Sequence, residues 1–280
     1  MFDRIRRGLT LTKKSWGVIR SHSGLVKLPI TGGIVGLVAF VVFGAPGVVL
    51  LNSDDTWVVV AGIAFLLIGT FLAGLSVEFF NVALVAAADQ ALRGEEPNLA
   101  AARRVARRRL RFIVAWGLIS FLVGFVLGAL SETKGALGRV AASLGAAMWS
   151  LVTFLVLPIL AFEGVGPITA LKRSTTLFRE RWGEQVTGNV VIGGVAGLIV
   201  FVGIVVGLGG AFLIIEGGTT ATVGGVLLLL IGAIVTLGGA LFGSATRCVF
   251  GVALYRYVAE DRALGPFNET DLQAAARQAA

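Results

Sequence analysis

Apolar residues run through this chain in six long blocks, and nearly all the charge is gathered between them. The blocks at 28–51, 57–88, 113–131, 140–162, 187–215 and 223–258 each come to roughly 20 residues or more, the length at which a helix crosses bilayer hydrocarbon. The short connectors Asn52–Thr56, Ser131–Arg139 and Glu216–Val223 leave no room for anything but a tight reversal. The pattern predicts an all-α integral membrane protein whose six transmembrane helices form three hairpins. The second and sixth blocks are longer than a bilayer requires, so they are expected to tilt or to project beyond it.

The polar stretches have a period of their own. Phe2, Ile5, Leu9, Thr12, Trp16 and Ile19 recur at steps of three and four, as do Ile168, Leu171, Thr175, Phe178 and Trp182. Such spacing lines one face of a helix with apolar side chains and leaves Lys and Arg on the rest. At an offset of 159, Lys13-Lys14-Ser15 overlies Lys172-Arg173-Ser174, and Val18-Ile19-Arg20 overlies Leu177-Phe178-Arg179. A third, looser version runs from Asn98 to Arg111, with Leu99, Val105, Ala106 and Leu110 set among arginines.

The hairpin ends repeat as well. Phe80-Asn81-Val82-Ala83-Leu84 resembles Phe250-Gly251-Val252-Ala253-Leu254, and Phe154-Leu155-Val156-Leu157-Pro158 is a third copy; Asp89, Glu163 and Glu260 follow them. The expected plan is a basic amphipathic interfacial helix followed by a hairpin, three times over. The units span about 1–91, 96–163 and 165–264 of a single membrane domain ending at 265, with a short tail at 266–280.

Charge then sets an orientation. Of 24 Lys and Arg residues only Lys134 and Arg139 fall on the far side of the spans; the others cluster in 1–27, 93–111, 172–181 and from Arg247 onward. Basic residues collect on the cytoplasmic side of inner membranes, so both termini are expected there, in the cytoplasmic membrane of a prokaryote. The first 26 residues hold seven charged side chains before any apolar run, which does not fit a cleavable signal peptide. Amphipathic helices of this type lie at the interface with Trp at headgroup depth. Trp16, Trp57 and Trp182 are the expected anchors. Lys13, Lys14, Arg20, Arg103, Arg104, Arg107, Arg108, Arg109, Lys172, Arg173, Arg179 and Arg181 are the candidate contacts to anionic phospholipid, each worth about 1 kcal/mol near such a surface. A span adjoins the Arg103–Arg111 run, which makes phospholipid rather than nucleic acid the expected polyanion.

Candidate chemistry is sparse. One Cys (Cys248, in an apolar block) and one His (His22) leave no disulfide framework and no Cys/His zinc cluster. No phosphate-binding loop, zinc-protease or nucleophile-elbow motif occurs, so no catalytic residue, metal or cofactor is expected. Asp54-Asp55 reads as the cap of the first outer turn, and the sequon at Asn268-Glu269-Thr270 falls in the expected cytoplasmic tail. Glycines four apart (Gly32/Gly36, Gly124/Gly128, Gly193/Gly197, Gly203/Gly207, Gly239/Gly243) let helix backbones approach closely. They indicate a compact bundle without identifying a dimer face, so a homo-oligomer or a membrane-protein partner stays open.

Intramembrane charge is costly and is often functional. Glu78 and Arg247 fall late in the second and sixth blocks at nearly the same depth under the 170-residue offset of the hairpin ends, with Asn81 one turn from Glu78. They are either a packing pair that reaches toward the interface or a polar site facing a cavity, where Glu78 binds a cation or a proton.

The opening FDRIRRGLTLTKKSWGVIRSH and the segment LPILAFEGVGPITALKRSTTLFRERWG resemble an uncharacterised family of prokaryotic six-span membrane proteins, a domain of unknown function. The second segment is also similar, more distantly, to the membrane domain attached to some glycerophosphodiester phosphodiesterases. The shared positions there are Glu163, Gly166, Pro167, Ala170 to Ser174 and Trp182-Gly183. No phosphodiesterase catalytic domain accompanies this copy, and the first family brings no known activity. The expectation is therefore a non-enzymatic membrane scaffold or accessory that contacts anionic lipid or a cytoplasmic partner. A small-solute or ion transporter built on Glu78 and Arg247 is the alternative.

Overall fold

Backbone amides inside a bilayer have no water to bond, and the chain meets this by being helical throughout its apolar blocks. The computed structural model describes residues 2–132, 136–182, 187–216 and 219–268, and every regular element among them is a helix. Lys134, Gly183 and the tail from 269 lie outside the described residues, as do the side chains of Phe178, Arg179, Arg181 and Trp182.

Helix α1 (Phe2–Ser21) leads through a short 3₁₀ turn into α2 (Lys27–Ala39) and α3 (Ala45–Leu50), which return as α4 (Thr56–Leu92). A single π-helical turn, Phe40–Gly44, separates α2 from α3. Pro46 has no N–H for the carbonyl one turn back, and the widened turn absorbs the mismatch. The Asp55 side chain caps α4 by accepting a hydrogen bond from the Trp57 N–H at 2.8 Å. Helix α5 (Leu99–Arg108), capped by Asn98, precedes the second hairpin, α6 (Leu110–Ser131) with α7 (Ala136–Val152) and α8 (Val156–Phe162). Gly164 ends α8 at φ +66°, and Pro167 opens α9 (Pro167–Trp182), which precedes α10 (Thr187–Glu216) and α11 (Thr219–Glu260). Six helices of these three hairpins are long and apolar enough to cross a membrane.

The block at 140–162, expected as one continuous span, is broken at 153–155 into α7 and α8. Pro158 lies one turn beyond the break; it cannot donate to the Phe154 carbonyl, and its ring crowds it. The carbonyl of Val152, freed by the break, accepts a 2.5 Å hydrogen bond from the Ser174 hydroxyl of α9.

The amphipathic helices are laid out in a ring. Each packs on the hairpin that precedes its own in the chain: α5 on α4, and α9 on α6, α7 and α8. The ring closes because α1 packs on the last hairpin, α10 and α11. Inside this collar the ends of α4, α8 and α11 converge, and the core is built from Val82–Leu92, 155–161 and 245–258. These are the three repeated hairpin ends. At 37 and 42 residues, α4 and α11 are about 55 and 63 Å long, against hydrocarbon of roughly 30 Å. Both are longer than an untilted crossing of that hydrocarbon needs. Trp16 of α1 meets Phe242 at 5.0 Å between ring centroids, midway along α11. Toward the other end, large apolar side chains such as Leu37, Phe125, Leu208 and Ile234 face outward, as lipid contact requires.

The apolar stripes predicted for α1 and α9 bury in part: Thr12 and Ile19 are buried, and Leu171 and Thr175 are half-buried. Leu11, Ser15 and Val18 are covered, as are their counterparts Ala170, Ser174 and Leu177 at the 159-residue offset. Leu9, Trp16 and Ile168 lie exposed beside them. Small residues let these helices approach the bundle closely, while Leu9, Trp16 and Ile168 at the edge of the stripe are left to the lipid interface. The domain also runs past 265: Phe267, placed in the tail by sequence, is only 2% exposed and packs against Phe250.

Candidate functional site

Two polar groupings occupy the basic half of the bundle. The first lines an open cavity of about 560 Å³ between α4, α6, α7, α8, α10 and α11. Glu78 and Asn81 reach it from α4, and Ser244 and Arg247 from α11. The Ser244 hydroxyl donates to Asn81 Oδ1 at 2.8 Å, tying the two helices together at the cavity wall. Glu78 is half-buried, and its Oε2 is shielded from solvent with no hydrogen-bond partner. Arg247 lies opposite α10, where Gly193 leaves room for it: a Cβ there would stand 3.3 Å from Nη2. No ion pair within 4.0 Å joins Glu78 to Arg247. They share the cavity without neutralising one another. Trp116 and Trp149, stacked at 5.7 Å and 13°, form part of the wall, and buried Cys248 lines it too.

The second grouping brings together the three acidic residues that follow the repeats. Arg256 of α11 grips Asp89 of α4 in a bidentate pair, Nε to Oδ1 at 2.8 Å and Nη2 to Oδ2 at 3.0 Å. Its Nη1 bonds Glu260, and its guanidinium lies 4.3 Å from the centre of the Phe162 ring of α8. Tyr255 donates to Glu163 Oε1 at 3.0 Å, and Arg173 of α9 approaches the same oxygen at 3.6 Å. One arginine thus connects all three hairpins. The sequence reading counted Arg256 only as an orienting charge and left Tyr255, Trp116 and Trp149 unnoticed. Three acids at equivalent ends of apolar helices were the available signal, since buried and partly buried carboxylates require donors: Arg256 serves Asp89 and Glu260, and Tyr255 with Arg173 serves Glu163.

The collar residues fall where amphipathic helices would put them. Lys13, Arg20, Arg103, Arg104, Arg107, Arg108 and Lys172 are exposed, and Lys14 is half-buried. Arg109 departs from this pattern. Its guanidinium fills the space a side chain at Gly164 would occupy, so it braces the α8–α9 connection. Trp57 is 81% exposed at the far end, and Trp16 is partly covered by Phe242. Of the glycine pairs, Gly32/Gly36, Gly203/Gly207 and Gly239/Gly243 meet neighbouring helices, whereas Gly124 and Gly128 face open space.

Six apolar helices in three hairpins, with polar groups gathered toward one end, define a multi-pass helical membrane protein. The chain belongs to a family of unknown function (DUF6159), whose model matches residues 75–265, about two thirds of its length. No curated protein matches it.

Proposed function

We propose that this protein is a non-enzymatic scaffold or accessory of a prokaryotic cytoplasmic membrane, with both termini inside and a basic collar that binds anionic phospholipid. The observation that carries this reading is the exposure of Lys13, Arg20, Arg103, Arg104, Arg107 and Arg108 on helices whose opposite faces are locked into the bundle. Each such charge contributes about 1 kcal/mol near an anionic surface, and a rigid ring presents them together. An acidic cytoplasmic partner would be recognised by the same charges. The distant likeness of the Glu163–Gly183 segment to a membrane domain found beside phosphodiesterases agrees with a membrane role and brings no catalysis.

The test is thermal unfolding of the full chain in detergent with added phosphatidylglycerol or phosphatidylcholine. Preferential stabilisation by the anionic lipid, weakened by salt and by joint replacement of Arg103, Arg104, Arg107 and Arg108 with Gln, is expected. Equal response to both lipids refutes the collar's role.

A second reading is favoured by the cavity. Glu78 and Arg247, unpaired with each other on one cavity wall, suit a solute-binding or transport site. Uptake or efflux by vesicles containing the protein, lost on Glu78→Gln, would support it.

A further inference from the structure

The cavity presents two groups of opposite charge that do not pair with each other. Glu78 Oε2 is a solvent-shielded acceptor with no partner. A carboxylate oxygen removed from water needs a donor, and a cationic donor satisfies it best. Arg247 is exposed and has no acidic partner among the described residues, and Gly193 puts no side chain of its own beside the guanidinium. Asn81 and Ser244, hydrogen-bonded to each other, line the same cavity and add a neutral polar pair to it. A lone cation would engage Glu78 alone, and a lone anion Arg247 alone. A molecule carrying both charges satisfies the two ends at once. The volume of about 560 Å³ lies in the range of small-molecule sites, and the Trp116–Trp149 stack offers an apolar wall for the linker.

We infer that the cavity is a binding site for a small zwitterion, a primary ammonium joined by a short linker to an anionic oxyacid group. The ammonium faces Glu78 and the oxyacid faces Arg247. This rests on the solute-site reading above and names the chemical class that site accepts. The same chemistry occurs in a free amine phosphate and in the headgroup of an aminophospholipid.

The experiment is calorimetric titration of the full chain in nanodiscs of phosphatidylglycerol with phosphoethanolamine, ethylamine or inorganic phosphate. Phosphoethanolamine is expected to bind saturably and at least about ten-fold more tightly than either single-charge probe. Glu78→Gln and Arg247→Gln are each expected to weaken it by about ten-fold or more, with unliganded melting checked for both. The wild-type ranking decides the matter even if a variant fails to fold. Ethylamine or phosphate binding as tightly as phosphoethanolamine overturns the two-charge ligand while leaving a solute site in place. No binding by any of the three overturns both. Phosphatidylethanolamine in the disc blocking phosphoethanolamine assigns the site to a lipid headgroup, and unchanged binding assigns it to a free solute.

Discussion

Arg256 holds Asp89 across the helix interface with two parallel bonds of 2.8 and 3.0 Å, both side chains being nearly buried. Removing one partner of such a pair strands a charge in a low-dielectric site. Asp89→Asn should destabilise the bundle by about 3–5 kcal/mol, read as a large fall in melting temperature in detergent. Arg93, the exposed second partner of Asp89, supplies the control: Arg93→Ala should cost about 1 kcal/mol or less.

Two serines at equivalent positions of α9 and α1 should respond oppositely. Ser174 satisfies the Val152 carbonyl at the α7–α8 break, so Ser174→Ala should cost about 1–3 kcal/mol. Ser15 is buried with no partner for its hydroxyl, so Ser15→Ala should be neutral or stabilising. Melting of the two single variants side by side decides it, and equal losses would contradict the bonding described.

Neighbouring glycines of α11 offer a similar contrast. A Cβ on Gly225 would stand 2.6 Å from the Gly210 carbonyl oxygen of α10, while Gly224 has nothing within 4 Å. Gly225→Val should force the hairpin apart at a cost of about 1–3 kcal/mol. Gly224→Val should leave melting close to wild type.

Phe267→Ala should cost about 3–5 kcal/mol, because the ring is fully covered beside Phe250. A chain ending at 265 should lose a comparable amount. Wild-type melting for that truncation would return Phe267 to the tail.

The six spans were legible because apolar length is an unambiguous signal, and the offset of 159 located equivalent helices from a few residues. The hairpin-end repeat was legible too, and it turned out to be the core: Val82, Val156 and Val252 are all fully buried. Periodicity located the docking face of α1 only to within its edge: Thr12 and Ile19 bury, but so does Ser15 beside the stripe. In water Trp16 and Ile168 would go inward, but at a membrane interface they can stay in lipid while Ser15 and Ser174 face the protein. Pro158 stood in view, yet an apolar run gives no sign of whether proline bends a span or breaks it. Glu78 and Arg247 line the same cavity, but their failure to pair depends on side-chain directions that spacing does not specify. Arg256 was hidden among orienting charges because Asp89, which it grips, lies 167 residues earlier in the chain.

The circular arrangement of the collar carries a consequence for synthesis. Helix α1 leaves the ribosome well before α10 and α11, whose surface covers Leu11, Ser15, Val18 and Ile19. While the intervening spans are made, that face waits at the membrane without its cover. Closure of the ring therefore follows synthesis of the sixth span, and a chain that stops before that span carries its defect at α1.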